Sequence, residues 1–189
     1  MQLTHCIADT PHLRLSPLAR DHAAGLATAA ADPSLWTWWP RGKLSEDFSG
    51  HLDWQLAEQA AGRWLLHTVM TPAGQIVGQT CYLAIRREHS GVEIGGTWYA
   101  APAQGTRINP AAKHALLGHA FACGAERVEL KTDAQNARSR AAMEKMGAQF
   151  EGIHRRHMRY PDGRWRDTAW YSVLAADWAT VCSRLETRL

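Results

Sequence analysis

Three short stretches of the chain carry groups that can do chemistry. The first is Gln104-Gly105-Thr106-Arg107-Ile108-Asn109, followed by Pro110. Asn109-Pro110 reads as a helix start, with Asn as cap and Pro at the first helical position. Free N–H groups and the helix dipole at such a start favour an anion. Taken alone, the loop is equally an ordinary capped turn. The second stretch is Asn136-Ala137-Arg138-Ser139, at the first turn of another expected helix. Asn136 can cap that helix, and Ser139 sets a hydroxyl beside it. The third is Glu93, at the start of an expected strand. A carboxylate there can take a proton, directly or through water. It can equally be a strand-edge acid paired with a nearby arginine.

The elements that must position these groups follow from periodicity. Leu13 to Leu18 alternates apolar and polar residues, a strand pattern. Asp21 can cap a helix over His22 to Ala31, which Asp32-Pro33 stops. Ser45 precedes Phe48, Leu52, Leu56 and Ala60, whose helical spacing predicts a second helix ending near Gly62. Trp64 to Met70, Gln75 to Ile85 and Val92 to Tyr99 predict three antiparallel strands, with Gly78 marking a weak point or bulge. The period then changes. Ala112, Leu116, Leu117, Ala120 and Phe121 form one helix face, ended by Gly124. Val128 to Thr132 is a strand, Asn136 to Met146 a helix, and Gln149 to Met158 and Trp165 to Leu174 two strands around the turn Pro161-Asp162-Gly163. A C-terminal helix can follow from Ala175. The order is β-α-α-β-β-β-α-β-α-β-β. It predicts an α/β fold, a mixed sheet with helices on both faces. The joint at Tyr99 to Asn109 passes from antiparallel to crossover topology, where open α/β sheets bind cofactors.

Composition narrows the function classes. A chain of 189 residues fits one domain and can bury a core without disulfides or a structural metal. The net charge of +3 is spread among interleaved acids and bases, so direct nucleic-acid binding is not expected. One stretch stands out, with Arg155, Arg156, Arg159, Arg164 and Arg166. It reads as a solvated hairpin, or as a surface for an acidic partner or a phosphate. Cys6, Cys81, Cys123 and Cys182 form no CxxC pair and have no close His spacing, so no metal site is expected. They fit reduced thiols in a cytoplasmic protein. Neither a signal peptide nor a membrane span is visible. Cys81 and Cys123 show no His–Asp arrangement that would make a nucleophile. No G-x-G-x-x-G opens a helix here, which argues against a dehydrogenase. The cluster Leu35-Trp36-Thr37-Trp38-Trp39 needs a partner to cover it.

A family resemblance rests on these same segments. The residues Glu93 to Tyr99, Gln104 to Pro110, Glu129-Leu130-Lys131-Thr132-Asp133, Asn136 to Ser139, Lys145-Met146-Gly147-Ala148 and Phe150-Glu151-Gly152 resemble the GNAT acetyltransferase superfamily. More narrowly, they resemble the branch that includes ribosomal-protein N-terminal acetyltransferases. The resemblance runs from about Leu13 to Trp178. It implies a single GNAT-like domain over residues 1–189, with a mostly antiparallel mixed sheet of about seven strands. It also implies a cofactor, acetyl coenzyme A, and an amine acceptor that attacks the thioester directly. That acceptor is a protein N-terminal α-amine or a small-molecule amine. Gln104, Gly105, Thr106, Arg107, Ile108 and Asn109 would cradle the pyrophosphate. Trp98, Tyr99 and Asn136 would lie along the pantetheine, on a strand that splays from its neighbour. Ser139 would protonate the leaving thiolate, and Glu93 would take the amine proton. Tyr171 is an alternative acid, though core packing suits it better. At least one of Trp36, Trp38 and Trp39 is expected to line the acceptor wall. This chain departs from the family pattern at Arg107 and Asn109, where small residues are usual. Arg107 can offer charge-assisted bonds to phosphate or can block the loop. The blocked case leaves another reading, a coenzyme A sensor or a ribosome-associated adaptor. Homodimers are common in the family and are carried over as an expectation.

Overall fold

The computed structural model describes residues 1–44 and 46–189. Ser45, which the sequence reading used to start the second helix, lies outside them. Eight strands form one mixed sheet: β1 (Ala8–Asp9), β2 (Arg14–Pro17), β3 (Leu65–Met70), β4 (Ile76–Arg86), β5 (Gly91–Tyr99), β6 (Arg127–Asp133), β7 (Gln149–Arg159) and β8 (Trp165–Leu174). Their spatial order is β1-β2-β3-β4-β5-β6-β8-β7. The helices are α1 (Ala23–Ala29), α2 (Phe48–Ala60), α3 (Ile108–Ala122), α4 (Ala137–Met146) and α5 (Trp178–Glu186). None of them is long and apolar enough to cross a membrane, among the described residues.

The helices divide between the two faces, and the core divides with them. Leu116, Leu117 and Ala120 of α3 and Val181 and Leu185 of α5 pack with Val92, Ile94, Val128, Leu130 and Tyr171 of the sheet. Leu26 of α1 and Leu52 of α2 pack with Trp36, Leu66, Cys81 and Trp98 on the opposite face. Full burial of a Leu-sized side chain contributes about 1.5–3 kcal/mol. These two layers therefore supply most of what holds the sheet.

Two local starts away from the loop before α3 differ from the sequence reading. Helix α1 begins after a 3-10 turn over Arg20–His22, so Asp21 sits inside that turn and His22, not Asp21, stands at the cap. Helix α2 is capped by Asp47, whose carboxylate accepts the Gly50 N–H at 2.9 Å.

The feature that makes a site is a fork. Strands β5 and β6 are parallel and pair over three residues only, Gly91–Glu93 against Arg127–Glu129. Beyond Glu93 each continues without the other. A bulge on β5 accompanies the separation, because Gly96 and Thr97 together oppose Thr80 of β4. Gly96 holds φ +56, a conformation that disfavours side chains. The open edges of the fork expose backbone groups that an uninterrupted sheet would have paired.

Candidate active site

The fork opens into a cleft made of two adjoining cavities of about 310 and 460 Å³. They share a wall formed by Trp38, Thr97, Trp98, Asn109, Asn136 and Ser139, so they form one passage through the sheet. Glu93 lines the inner cavity, and Gln104, Gly105 and Thr106 line the outer one. The three stretches singled out in the sequence, distant along the chain, thus meet in one place.

Glu93 sits at the base of the fork, as the last residue of the β5–β6 pairing. Its side chain is buried, and Lys131 Nζ lies 2.7 Å from Oε2. Lys131 is two residues past Glu129, the pairing partner of Glu93, which places it on the same sheet face. Burial pushes the Glu93 carboxyl above the usual carboxylate range, against the opposing pull of Lys131. The anticipated arginine pair is therefore a lysine pair, buried and facing the cleft.

Helix α4 brings Asn136 and Ser139 to the shared wall. Asn136 is its cap, with Oδ1 accepting the Ser139 N–H at 3.1 Å. Capping uses the amide oxygen and leaves the amide N–H₂ free of that duty.

The loop before α3 differs in detail from its expected form. The helix starts at Ile108, one residue before Asn109, and Arg107 occupies the cap. Asn109 is therefore inside the helix, where its side chain lines both cavities. The Thr106 hydroxyl takes over the cap's work: it donates to Ala103 O at 2.7 Å and accepts the Ile108 N–H at 3.3 Å. Gln104 is a brace, donating to Tyr99 O at 2.8 Å and accepting from Arg138 across the mouth. The Arg107 side chain is exposed and lines neither cavity, and Ile108 is buried in the core.

The aromatic cluster splits by role. Trp36 is buried, 5.4 Å from Trp98 and 5.6 Å from Trp39 between ring centres. Trp38 lines both cavities and Trp39 the inner one. Trp98 Nε1 donates to Gln79 Oε1 at 3.2 Å, which fixes the ring at the fork. The Tyr99 ring belongs to the core of the α3 side. Tyr171 is fully buried in that core and lines neither cavity. Its hydroxyl donates to Glu144 at 2.7 Å and accepts from Arg140 Nε at 3.0 Å, which removes it as an acid at the cleft.

Cations of the cleft escaped the sequence reading, Lys113 and Arg166 among them. Lys113 lies on α3 with Nζ donating to Thr97 Oγ1 at 3.2 Å, and burial pulls its pKa down to about 8. The signal was available: Lys113 is four residues before Leu117 and three before Leu116, in register with the apolar stripe. Arg166, assigned to a solvated run, is 5% exposed and lines the inner cavity, whereas Arg155, Arg156, Arg159 and Arg164 are exposed as expected. Among the described residues, the only group of three metal-type donors is His114, Cys182 and Glu186, between α3 and α5 and outside both cavities.

Comparison with known proteins agrees with this architecture. The family profile "Acetyltransferase (GNAT) domain" matches residues 12–149. No curated protein sequence matches significantly. Among solved structures, a protein from T. thermophilus described as an acetyltransferase is 34% identical, with TM-score 0.87 over 99% of this chain and 98% of that one. A GCN5-related N-acetyltransferase from Brucella melitensis is 26% identical, with TM-score 0.90 over 99% and 86% of the two chains. RimJ from Mycobacterium smegmatis, solved with CoA-disulfide, shares the fold at 24% identity, with TM-score 0.79 over 93% and 88%. A forked sheet with a helix start at its mouth, matched over most of the chain to one profile, places this protein in the GNAT acetyltransferase family.

Proposed function

We propose that the protein transfers an acetyl group to a primary amine, with the acetyl donor entering by the outer cavity and the amine by the inner one. The observation that carries this reading is the fork, with Glu93 at its base and a helix start at its mouth. The cleft suits coenzyme A in three respects. The α3 start offers backbone N–H groups to a phosphate. The unpaired edge of β5 beyond Glu93 offers backbone groups to an amide-bearing arm. The Asn136 side chain stands on the shared wall, between the two cavities. Acetyl coenzyme A would supply the acetyl group as a thioester.

The remaining chemistry is the chain's own. An amine attacks only when neutral, and its pKa is about 8 for an α-amine and about 10.4 for a lysine-type amine. Glu93 is placed to take that proton, and its raised pKa brings it closer to the amine it serves. Ser139, on the shared wall, holds a hydroxyl proton on the donor side. Trp38 and Trp39 form an apolar wall that keeps water from the reacting groups. The acceptor is a protein α-amine or a small-molecule amine, and the RimJ likeness in fold is compatible with the first.

The test is titration of the protein with acetyl coenzyme A, followed by thiol detection with a panel of amines and peptides. Micromolar or tighter binding with thiol release supports transfer. Binding without release from any amine would favour a coenzyme A sensor. The motive for that second reading is the pair of altered loop positions, Arg107 and Asn109, of which Arg107 is exposed and lines neither cavity.

A further inference from the structure

The inner cavity carries more positive charge than the proposed transfer requires. One carboxylate, Glu93, faces Lys131, Lys113, Arg41 and Arg166. Glu93 is taken by Lys131 at 2.7 Å, and Arg41 lies over the Trp54 ring at 4.2 Å from its centre. Arg166 is different. It sits on β8 with 5% exposure, and its buried Nε has no hydrogen-bond partner. The neighbouring acid that could pair with it, Asp133, already accepts the Tyr160 hydroxyl at 2.7 Å and the Gln135 N–H at 2.8 Å. Trp39 lines the same cavity, and its buried Nε1 is likewise without an acceptor.

A buried guanidinium whose Nε makes no hydrogen bond is costly to keep, even with Asp133 and Glu93 near enough to offset part of its charge. Both orphaned groups are donors only. An ammonium cannot satisfy them, because it brings only donors where acceptors are needed, and a neutral amine has a single lone pair, which the transfer itself uses. A carboxylate or a phosphate can, and the guanidinium fork matches either. The cations are also on the wrong side to serve the donor's phosphates. Arg166, Lys131 and Arg41 line the inner cavity and not the outer one, where the α3 start lies.

We propose that the acceptor carries an anionic group, a carboxylate or phosphate, close to its amine, and that Arg166 is the residue that receives it. This rests on the acetyl-transfer reading and names its substrate class. The anion seats on Arg166, with Trp39 Nε1 as a second donor. The amine then points back toward Glu93 at the base of the fork. A cationic acceptor such as a polyamine is disfavoured by the same charges. Two sources offer the chemistry: the α-carboxylate of a small amino acid, and an acidic side chain near a peptide N-terminus.

The test uses matched pairs in the thiol-release assay. One arm compares free amino acids with their amides. The other compares C-terminally amidated peptides with Glu or Gln among the first three residues. The anionic member of one arm is expected to win by about tenfold or more in kcat/KM, equal to about 1.4 kcal/mol. Which arm shows the preference identifies the source. In Arg166→Gln the preference collapses, while Arg166→Lys keeps part of it. Thermal melting and acetyl coenzyme A titration check that both variants are folded. Equal rates for acidic and neutral members, or a preference that survives Arg166→Gln in folded protein, overturn the proposal. If no member releases thiol, the transfer reading fails. The same pairs titrated into the protein–coenzyme A complex then decide this inference separately, since it requires tighter binding of the acidic members.

Discussion

Replacing Lys113 with methionine should make the protein more stable at neutral pH. Lys113 is held in the cleft wall with little solvent, and burial lowers its pKa from 10.5 to about 8. At about 1.36 kcal/mol per pH unit, keeping it charged at pH 7 costs about 3 kcal/mol of folding free energy. Methionine removes that cost and fills the same slot with an unbranched apolar chain. It also removes the hydrogen bond to Thr97, worth about 1 kcal/mol. Thr97 keeps its 2.8 Å bond to Thr80, so no buried hydroxyl is orphaned. The net gain is about 2 kcal/mol, or roughly 4–8 °C in Tm for a chain of this size. The pH dependence gives the sharper test. Between about pH 8 and 10.5 the unfolded lysine holds a proton that the folded one has lost. Wild-type stability therefore rises through that window relative to the variant, and the gain vanishes by its upper end. Thermal melts of both proteins at pH 7, 9 and 10.5 read this directly. Other groups titrate alike in the two, so the difference isolates Lys113. A variant less stable at pH 7, or a gain that persists at pH 10.5, would refute the reasoning.

The remaining predictions concern the fork and its lining. Glu93→Gln should slow turnover with little change in acetyl coenzyme A affinity, and equal activity of the two proteins from pH 6 to 9 would remove Glu93 from the mechanism. Asn136→Ala should lower both stability, by about 1 kcal/mol for the lost cap, and cofactor affinity; Asn136→Asp should keep the cap and still weaken the cofactor. Melting curves beside titrations separate the two effects, and an Asp variant that binds as wild type would leave Asn136 with capping alone. Gly78→Ala should destabilise by about 1–3 kcal/mol, because its Cβ would fall 2.3 Å from the Trp98 carbonyl oxygen and force β4 and β5 apart. A melt within about 1 °C of wild type would show that the strands yield freely.

Much of this protein is set by local chemistry that a one-dimensional reading can reach. The period-2 runs, the 3.6-period faces and the Gly and Pro stops determined the order of elements, because each is a short-range preference. Only the two-residue strand β1 was missed, too short to show a period. The groups at Glu93, Asn136 and Gln104–Asn109 were legible because a family pattern and helix-start chemistry coincide there. Tertiary structure decided the rest. Whether Asn109 caps α3 or lines the cleft depends on where the chain turns into the helix, and with the Thr106 hydroxyl bonded to the Ile108 N–H that start lies two residues earlier than expected. Arg166 follows four exposed arginines, and only its place on β8, opposite Met158 of β7 at the cleft, turns it inward. Glu93 became a buried acid beside Lys131 because two strands far apart in sequence lie parallel there and then part. Burial and opposing charge are set by what the far parts of the chain bring alongside, and they decide what each ionisable group in this cleft can do.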